Sequence, residues 1–189
     1  MIVTEEELIV KVINGATPGV VRIVSAGENK TFVSSGFFVS ADGVITASAA
    51  AVLAAASTTS YQAILADGHA VALTKLTPVT DLSFFKLDPP ADSVKWSKLT
   101  LAKVLPAIGQ TVVALGYSDR PDINVSVGIV SSFLSTDAST TPFVMTNAAS
   151  PENQGGPVLN IKGEVIGMSK GSGLVISAEA IAAALTGLK

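Results

Sequence analysis

The 189-residue chain contains no cysteine and a single histidine, His69. The missing thiols exclude disulfides, metal–thiolate centres and a cysteine nucleophile. One imidazole among scattered carboxylates does not make a transition-metal site, so neither a metal nor a cofactor is expected. Charge is also scarce: 14% of residues are charged and the net charge is −3. No lysine or arginine run is long enough to track a phosphate backbone, which argues against nucleic acid as a partner. Apolar residues make up 48% of the chain. They are spread over short segments, none close to the ~20 residues needed to cross a bilayer, and no membrane contact is expected from this sequence itself. The start, Met1-Ile2-Val3-Thr4-Glu5-Glu6-Glu7, is acidic, unlike the basic opening of a signal peptide.

What is present is periodic. A chain of this length buries roughly 70% of its unfolded surface and needs no covalent staples. Thr4-Glu5-Glu6-Glu7 reads as a capping box, in which the Thr4 hydroxyl and the Glu7 carboxylate satisfy reciprocal backbone donors. Leu8, Val10, Val12 and Ile13 then form a helical face that ends near Gly15 and is closed by Pro18. From Val20 the pattern changes to short β-branched and aromatic runs broken by turn residues. It predicts strands at 20–24, 31–39, 43–47, 61–65, 69–76 and 82–87, with hairpin turns at Ala41-Asp42-Gly43 and Ala66-Asp67-Gly68. The alanine-rich stretch 47–56 predicts a short helix. After a Pro-containing connection, further strands are predicted at 111–116, 124–133, 142–146, 156–160, 163–169 and 173–176. Ala178–Leu188 predicts a terminal helix.

This order gives an all-β fold of two packed antiparallel barrels with a short helix at each end. The expected organisation is one domain, 1–189, with a helical segment at 1–17, a first barrel at 18–88 and a linker at 89–98. The second barrel follows at 99–176 and the C-terminal helix at 177–189.

The most informative segment is Pro151-Glu152-Asn153-Gln154-Gly155-Gly156-Pro157, followed by Val158-Leu159-Asn160 and by Lys162-Gly163-Glu164-Val165-Ile166-Gly167. Several other strings lie in a matching order: Ser35-Gly36-Phe37-Phe38-Val39-Ser40-Ala41-Asp42-Gly43, Thr80-Asp81-Leu82-Ser83, Ile108-Gly109-Gln110-Thr111-Val112, Val127-Gly128-Ile129-Val130-Ser131 and Gly173-Leu174-Val175-Ile176-Ser177. Together, from about Ala16 to Leu185, the chain resembles the HtrA/DegP branch of the trypsin-like (chymotrypsin-fold) serine proteases. The resemblance implies the trypsin-like version of the two-barrel fold.

The same resemblance carries the family's site onto this sequence with its chemistry removed. The triad histidine falls on Ala50, or on Ala49 if the register slips by one. The aspartate falls on Asp81 and the nucleophile on Gln154. The glycine whose N–H helps bind the oxyanion falls on Glu152, so that Glu152, Asn153, Gln154 and Gly155 form a degenerate oxyanion loop. An amide has no proton to surrender and cannot become an acylating nucleophile. A carboxylate at position 152 would repel the anionic intermediate. Without a histidine to orient, Asp81 is expected to be a buried or half-buried carboxylate bonded to the Ala47–Ala51 backbone. His69 is expected to be a solvated turn residue. A replacement pair of Ser150 with Lys170 is the weaker alternative.

The expected function is that of a catalytically inactive protease homologue acting by peptide or protein binding, scaffolding or regulation. By resemblance, Gly167, Met168, Ser169, Lys170 and Gly171 form the candidate peptide-pairing strand. The alternatives are an unconventional or weakly active endopeptidase and a regulatory subunit of an active HtrA paralogue, with a homo-oligomer as a further partner arrangement. The resemblance also implies an extracytoplasmic setting, periplasmic or membrane-anchored with the anchor outside this sequence.

Overall fold

A computed structural model describes residues 4–27, 31–49, 58–76, 81–88, 94–134, 142–146 and 153–188. The chain opens with α1 (Glu5–Ala16), capped as its sequence demands. The Glu7 backbone N–H donates to Thr4 Oγ1 at 3.3 Å, and the Thr4 N–H donates to Glu7 Oε2 at 2.9 Å. The face that packs inward is Ile9, Val12, Ile13 and Ala16. Val10, expected on that face, is 50% exposed. Its neighbours at helical spacing already cover the barrels, and position 10 points away from them. Thr17–Gly19 forms one 3₁₀ turn carrying Pro18.

Six strands then close the first barrel: β1 (Val20–Gly27), β2 (Thr31–Phe38), β3 (Val44–Ser48), β4 (Thr58–Ile64), β5 (Ala70–Lys75) and β6 (Leu82–Leu87). Their order around the barrel is β1-β2-β3-β6-β5-β4. The second barrel holds β7 (Thr111–Tyr117), β8 (Ile123–Phe133), β9 (Phe143–Met145), β10 (Pro157–Asn160), β11 (Val165–Gly171) and β12 (Leu174–Ser177), ordered β10-β11-β12-β9-β8-β7. All paired strands are antiparallel. Closure removes the sheet edges that would otherwise invite pairing with other chains. The helix α2 (Ala178–Thr186) follows, with the Ser177 hydroxyl accepting the Ala180 N–H as its N-cap. The all-β two-barrel expectation is met. The short helix expected over 47–56 lies mostly outside the described residues, and its first two positions, Ala47 and Ser48, complete β3.

Each barrel has its own interior. Ile23, Phe38, Ile45 and Phe85 fill the first; Val112, Phe143, Val158 and Ile166 fill the second. A third cluster joins them, bringing Phe37 and Phe84 together with Val113, Leu115, Leu159 and Met168 under the face of α1. Alternation along single strands produces this arrangement. In β2, Phe38 points into its barrel while Phe37 points at the neighbouring one. The two barrels are thereby fixed face to face, and residues from both meet along the seam.

Candidate functional site

The turn 153–156 sits on that seam, positioned almost entirely by backbone. Gly155 N–H donates to the Ser169 carbonyl at 2.8 Å, and Ser169 N–H returns a bond to the Gly156 carbonyl at 3.0 Å. Gly156 N–H closes the turn on the Asn153 carbonyl at 2.9 Å. The Ser35 N–H, from the other barrel, donates to the Gln154 carbonyl at 3.1 Å. One more hydroxyl holds the seam beside it: Ser35 Oγ accepts the Tyr117 N–H at 2.8 Å and donates to the Tyr117 carbonyl at 3.3 Å.

Two glycines make the close approach possible. Gly155 has φ +89°, and a Cβ there would lie 2.2 Å from the Ser35 carbonyl oxygen. A Cβ on Gly156 would lie 1.9 Å from the Leu115 carbonyl oxygen. Any side chain at either position must displace main chain from the opposite wall. Asn153 is buried against Gly116, and its Oδ1 has no hydrogen-bond partner.

The side chains that reach across the seam form two separate contacts. Gln154, half-buried, donates from Nε2 to Ser48 Oγ at 3.3 Å. Ser48 ends β3 and is fully buried. Lys170, from β11 of the second barrel, places Nζ 2.9 Å from Asp81 Oδ2 at the start of β6 of the first. Asp81 corrects its expectation. Its side chain is 65% exposed rather than buried, and its carboxylate pairs with Lys170. It is the Asp81 main-chain carbonyl that meets the alanine-rich segment, accepting the Ala49 N–H at 2.9 Å. A carboxylate beside solvent with an ammonium within reach needs no backbone donors to satisfy it.

Of the remaining predicted positions, Ala50, Glu152 and Ser150 lie outside the described residues. Ala49 is buried beside Ser48. His69 stands in the β4–β5 turn, 63% exposed, with Nδ1 3.0 Å from Asp67 Oδ2. The His69 backbone N–H also donates to Asp67, which holds that carboxyl below the usual carboxylate range. It is thus a solvated turn residue.

The candidate peptide-pairing strand divides. Gly167 lies between Val158 and Ser177, and Met168 between Pro157 and Ile176. Ser169 spends both backbone groups on Gly155 and Gly156 while facing Val175. These three are interior to the sheet. The margin narrows to Lys170 and Gly171, where β11 turns into β12 through Ser172 and Gly173, both with positive φ. Next to this margin a groove with ≈ 790 Å³ of space runs between β12 and α2. Leu174, Ile176, Ala180 and Ala184 contribute apolar walls, and Asp81 and Lys170 are the charged side chains lining it among the described residues.

Two participants were not legible beforehand. Ser48 gives no signal in its Thr46-Ala47-Ser48 context. The Lys170–Asp81 pair joins positions 89 residues apart, so only the packing of one barrel on the other could bring them together.

Chemically, the described residues of the site offer an amide bonded to a buried hydroxyl and an ammonium bonded to a carboxylate. Neither pair is a nucleophile activated by a base of suitable strength.

Residues 34–168 match a family model described as a trypsin-like peptidase domain. The chain is 34% identical over 148 residues to a probable periplasmic serine endoprotease DegP-like from Halomonas elongata, covering 75% of this chain and 30% of that protein. It is 34% identical over 98 residues to a putative serine protease HhoA from a Synechocystis strain, covering 48% and 25% respectively. The chain thus spans about a quarter to a third of the length of these relatives. Among solved structures, the serine endoprotease from Yersinia pestis superposes with a TM-score of 0.81 at 18% identity, over 100% of this chain and 67% of that one. The HtrA-type protease AlgW with tripeptide gives 0.80 at 19% identity, over 96% and 64%. At such identities the superpositions speak for the fold.

Proposed function

Since the chain belongs to the trypsin-like peptidase family and is HtrA-like in sequence and fold, we propose that it is a pseudoprotease, which keeps the family's frame and acts by binding peptide or protein. The observation that carries this reading is Gln154. It occupies the turn at the barrel seam, where the family resemblance puts the nucleophile, and its amide is bonded to Ser48 rather than to a base. The chain's one imidazole is engaged with Asp67 in a hairpin turn, and Asp81 is engaged with Lys170.

Magnitudes support the loss of turnover. Removing a triad costs on the order of 10⁶ in rate and leaves ~10³–10⁴ over water from oxyanion stabilisation and binding. A disturbed oxyanion donor takes away a further ~10²–10³.

Binding has a place to occur. An extended peptide would lie along the barrel margin at Lys170, beside Gly171 whose N–H is spent on Ser169 Oγ, and lay alternate side chains into the groove of Leu174 and Ile176. By analogy with the periplasmic DegP-like relatives, the working compartment is extracytoplasmic.

The test has two arms. Incubation with a fluorophosphonate probe and with generic peptide substrates should give no serine labelling and no turnover above a mock purification. Labelling of one serine that is abolished by its substitution would overturn inactivity. Isothermal titration against a library of extended peptides should yield binders whose affinity falls in Leu174→Asp. A library with no binder would remove the binding role.

A further inference from the structure

A second concave site lies away from the turn 153–156, at the far end of β10. There the C-terminal half of α1, the segment 98–100 and the β10–β11 turn enclose a crevice with ≈ 500 Å³ of space. Its charged lining is of one sign among the described residues: Lys11, Lys98 and Lys162, with no aspartate or glutamate. In a chain of net charge −3, three cations around one concavity stand out against the balance of the whole.

Each lysine is carried on backbone that is held in place. Lys11 sits inside α1. Lys98 lies between Ser97, whose N–H reaches the Pro18 carbonyl, and Leu99, whose N–H donates to the Phe38 carbonyl at 3.0 Å. Lys162 is fixed by Asn160, whose Oδ1 accepts the N–H groups of Lys162 at 2.9 Å and Glu164 at 3.0 Å.

The nearby acids lie outside the crevice lining, with Glu6 and Glu7 sharing a neighbouring concavity of α1 with Lys11. Glu7, one turn before Lys11, accepts the Thr4 N–H. Glu164 accepts Asn160 Nδ2 at 2.9 Å. Elsewhere Lys86 and Lys170 form ion pairs and Lys75 lies over the Tyr61 ring. Lys11, Lys98 and Lys162 form no ion pair among the described residues.

From the placement of these three lysines around one crevice with no acid in its lining, we infer that it binds a multiply charged phosphoryl anion. Ammonium groups approaching from three elements suit a tetrahedral, many-oxygened anion. A planar carboxylate is better met by a guanidinium fork, which the crevice lacks. Thr100 also lines the crevice, and the buried Val12 and Leu99 give it an apolar lining for the remainder of a phosphate ester.

Sodium tripolyphosphate titrated into the full chain at low, fixed ionic strength should bind saturably, and citrate more weakly. Lys11→Gln, Lys98→Gln and Lys162→Gln should each weaken binding about twofold to fivefold. The triple variant should lose about tenfold or more, while Lys75→Gln leaves binding unchanged. All four lysines are surface side chains, and unaltered thermal unfolding would show that the variants fold. Absence of saturable tripolyphosphate binding, or equal binding by the triple variant, overturns the site. Citrate binding as tightly as tripolyphosphate overturns the phosphoryl assignment.

Discussion

The turn at 153–156 and the Lys170–Asp81 bridge lie on the same seam and are built on opposite terms. The turn is chiefly a backbone object, with glycine surfaces pressed on opposing carbonyls, main-chain bonds on both sides and a single side-chain bond, from Gln154 to Ser48. The bridge is a side-chain object at the surface, whose acid is 65% exposed. The turn carries two glycines at its close contacts while the side chain it presents is an amide. In the bridge, the aspartate that the family resemblance would set against a histidine pairs with Lys170. Backbone geometry at the seam is demanded by the packing of two barrels, whereas the identities of the presented side chains are demanded only by chemistry. On the proposed reading, the packing constraint outlasts the chemistry.

The sharpest way to break this contrast is Gly156→Ala. One methyl would sit 1.9 Å from the Leu115 carbonyl oxygen, and main chain must move to admit it. We expect a loss of about 3 kcal/mol or more, or failure to fold, read by urea denaturation. A loss below about 1 kcal/mol would show that the turn is not backbone-locked. Gln154→Ala removes a half-buried amide and leaves the Ser48 hydroxyl without that donor. The expected cost is about 1 kcal/mol by the same measurement. Gln154→Ser should leave peptide hydrolysis at background, since a hydroxyl alone is no better placed to lose its proton.

At the bridge, effects should be smaller and salt-dependent. Asp81→Asn is expected to change stability by less than about 1 kcal/mol at low salt and to have no effect in concentrated salt. A salt-insensitive loss would mean that the pair is structural.

The smallest effect belongs to another exposed pair, Lys86 with Asp42. The Lys86 ammonium, aided by the Ser40 hydroxyl, holds the Asp42 carboxyl down at about 2 from 3.8. A depressed folded-state pKa means that this stabilisation is present above pH 3.8 and fades as pH falls toward 2. With Asp42 71% exposed, screening keeps the contribution under about 1 kcal/mol. Comparing the acid limb of unfolding in Asp42→Asn with that of the parent chain should show slightly less acid sensitivity in the variant.

Much of the fold could be read from local pattern. The capping box at Thr4 and Glu7, the breaks at Gly43 and Gly68, and the β-branched runs place α1 and most strands within a few residues. Local rules fix these because the interactions are between near neighbours. The helix face was read one position wide at Val10, since which apolar residue is covered depends on what packs there. For the site, the string 151–157 pointed to the turn and to the amide in it. The exposure of Asp81 was misread, because burial is a property of the surrounding chain and not of Thr80-Asp81-Leu82.

The sequence alone decided that two strand-rich halves would form, where the turns between strands fall, and that residue 154 has no ionisable proton. Those outcomes follow from residue chemistry and short-range geometry. The tertiary structure alone decided that Lys170 meets Asp81, that Gln154 meets Ser48, and that Lys11, Lys98 and Lys162 share one crevice. Each of these joins residues far apart in the chain, and their distance is set by how two closed barrels and a helix pack.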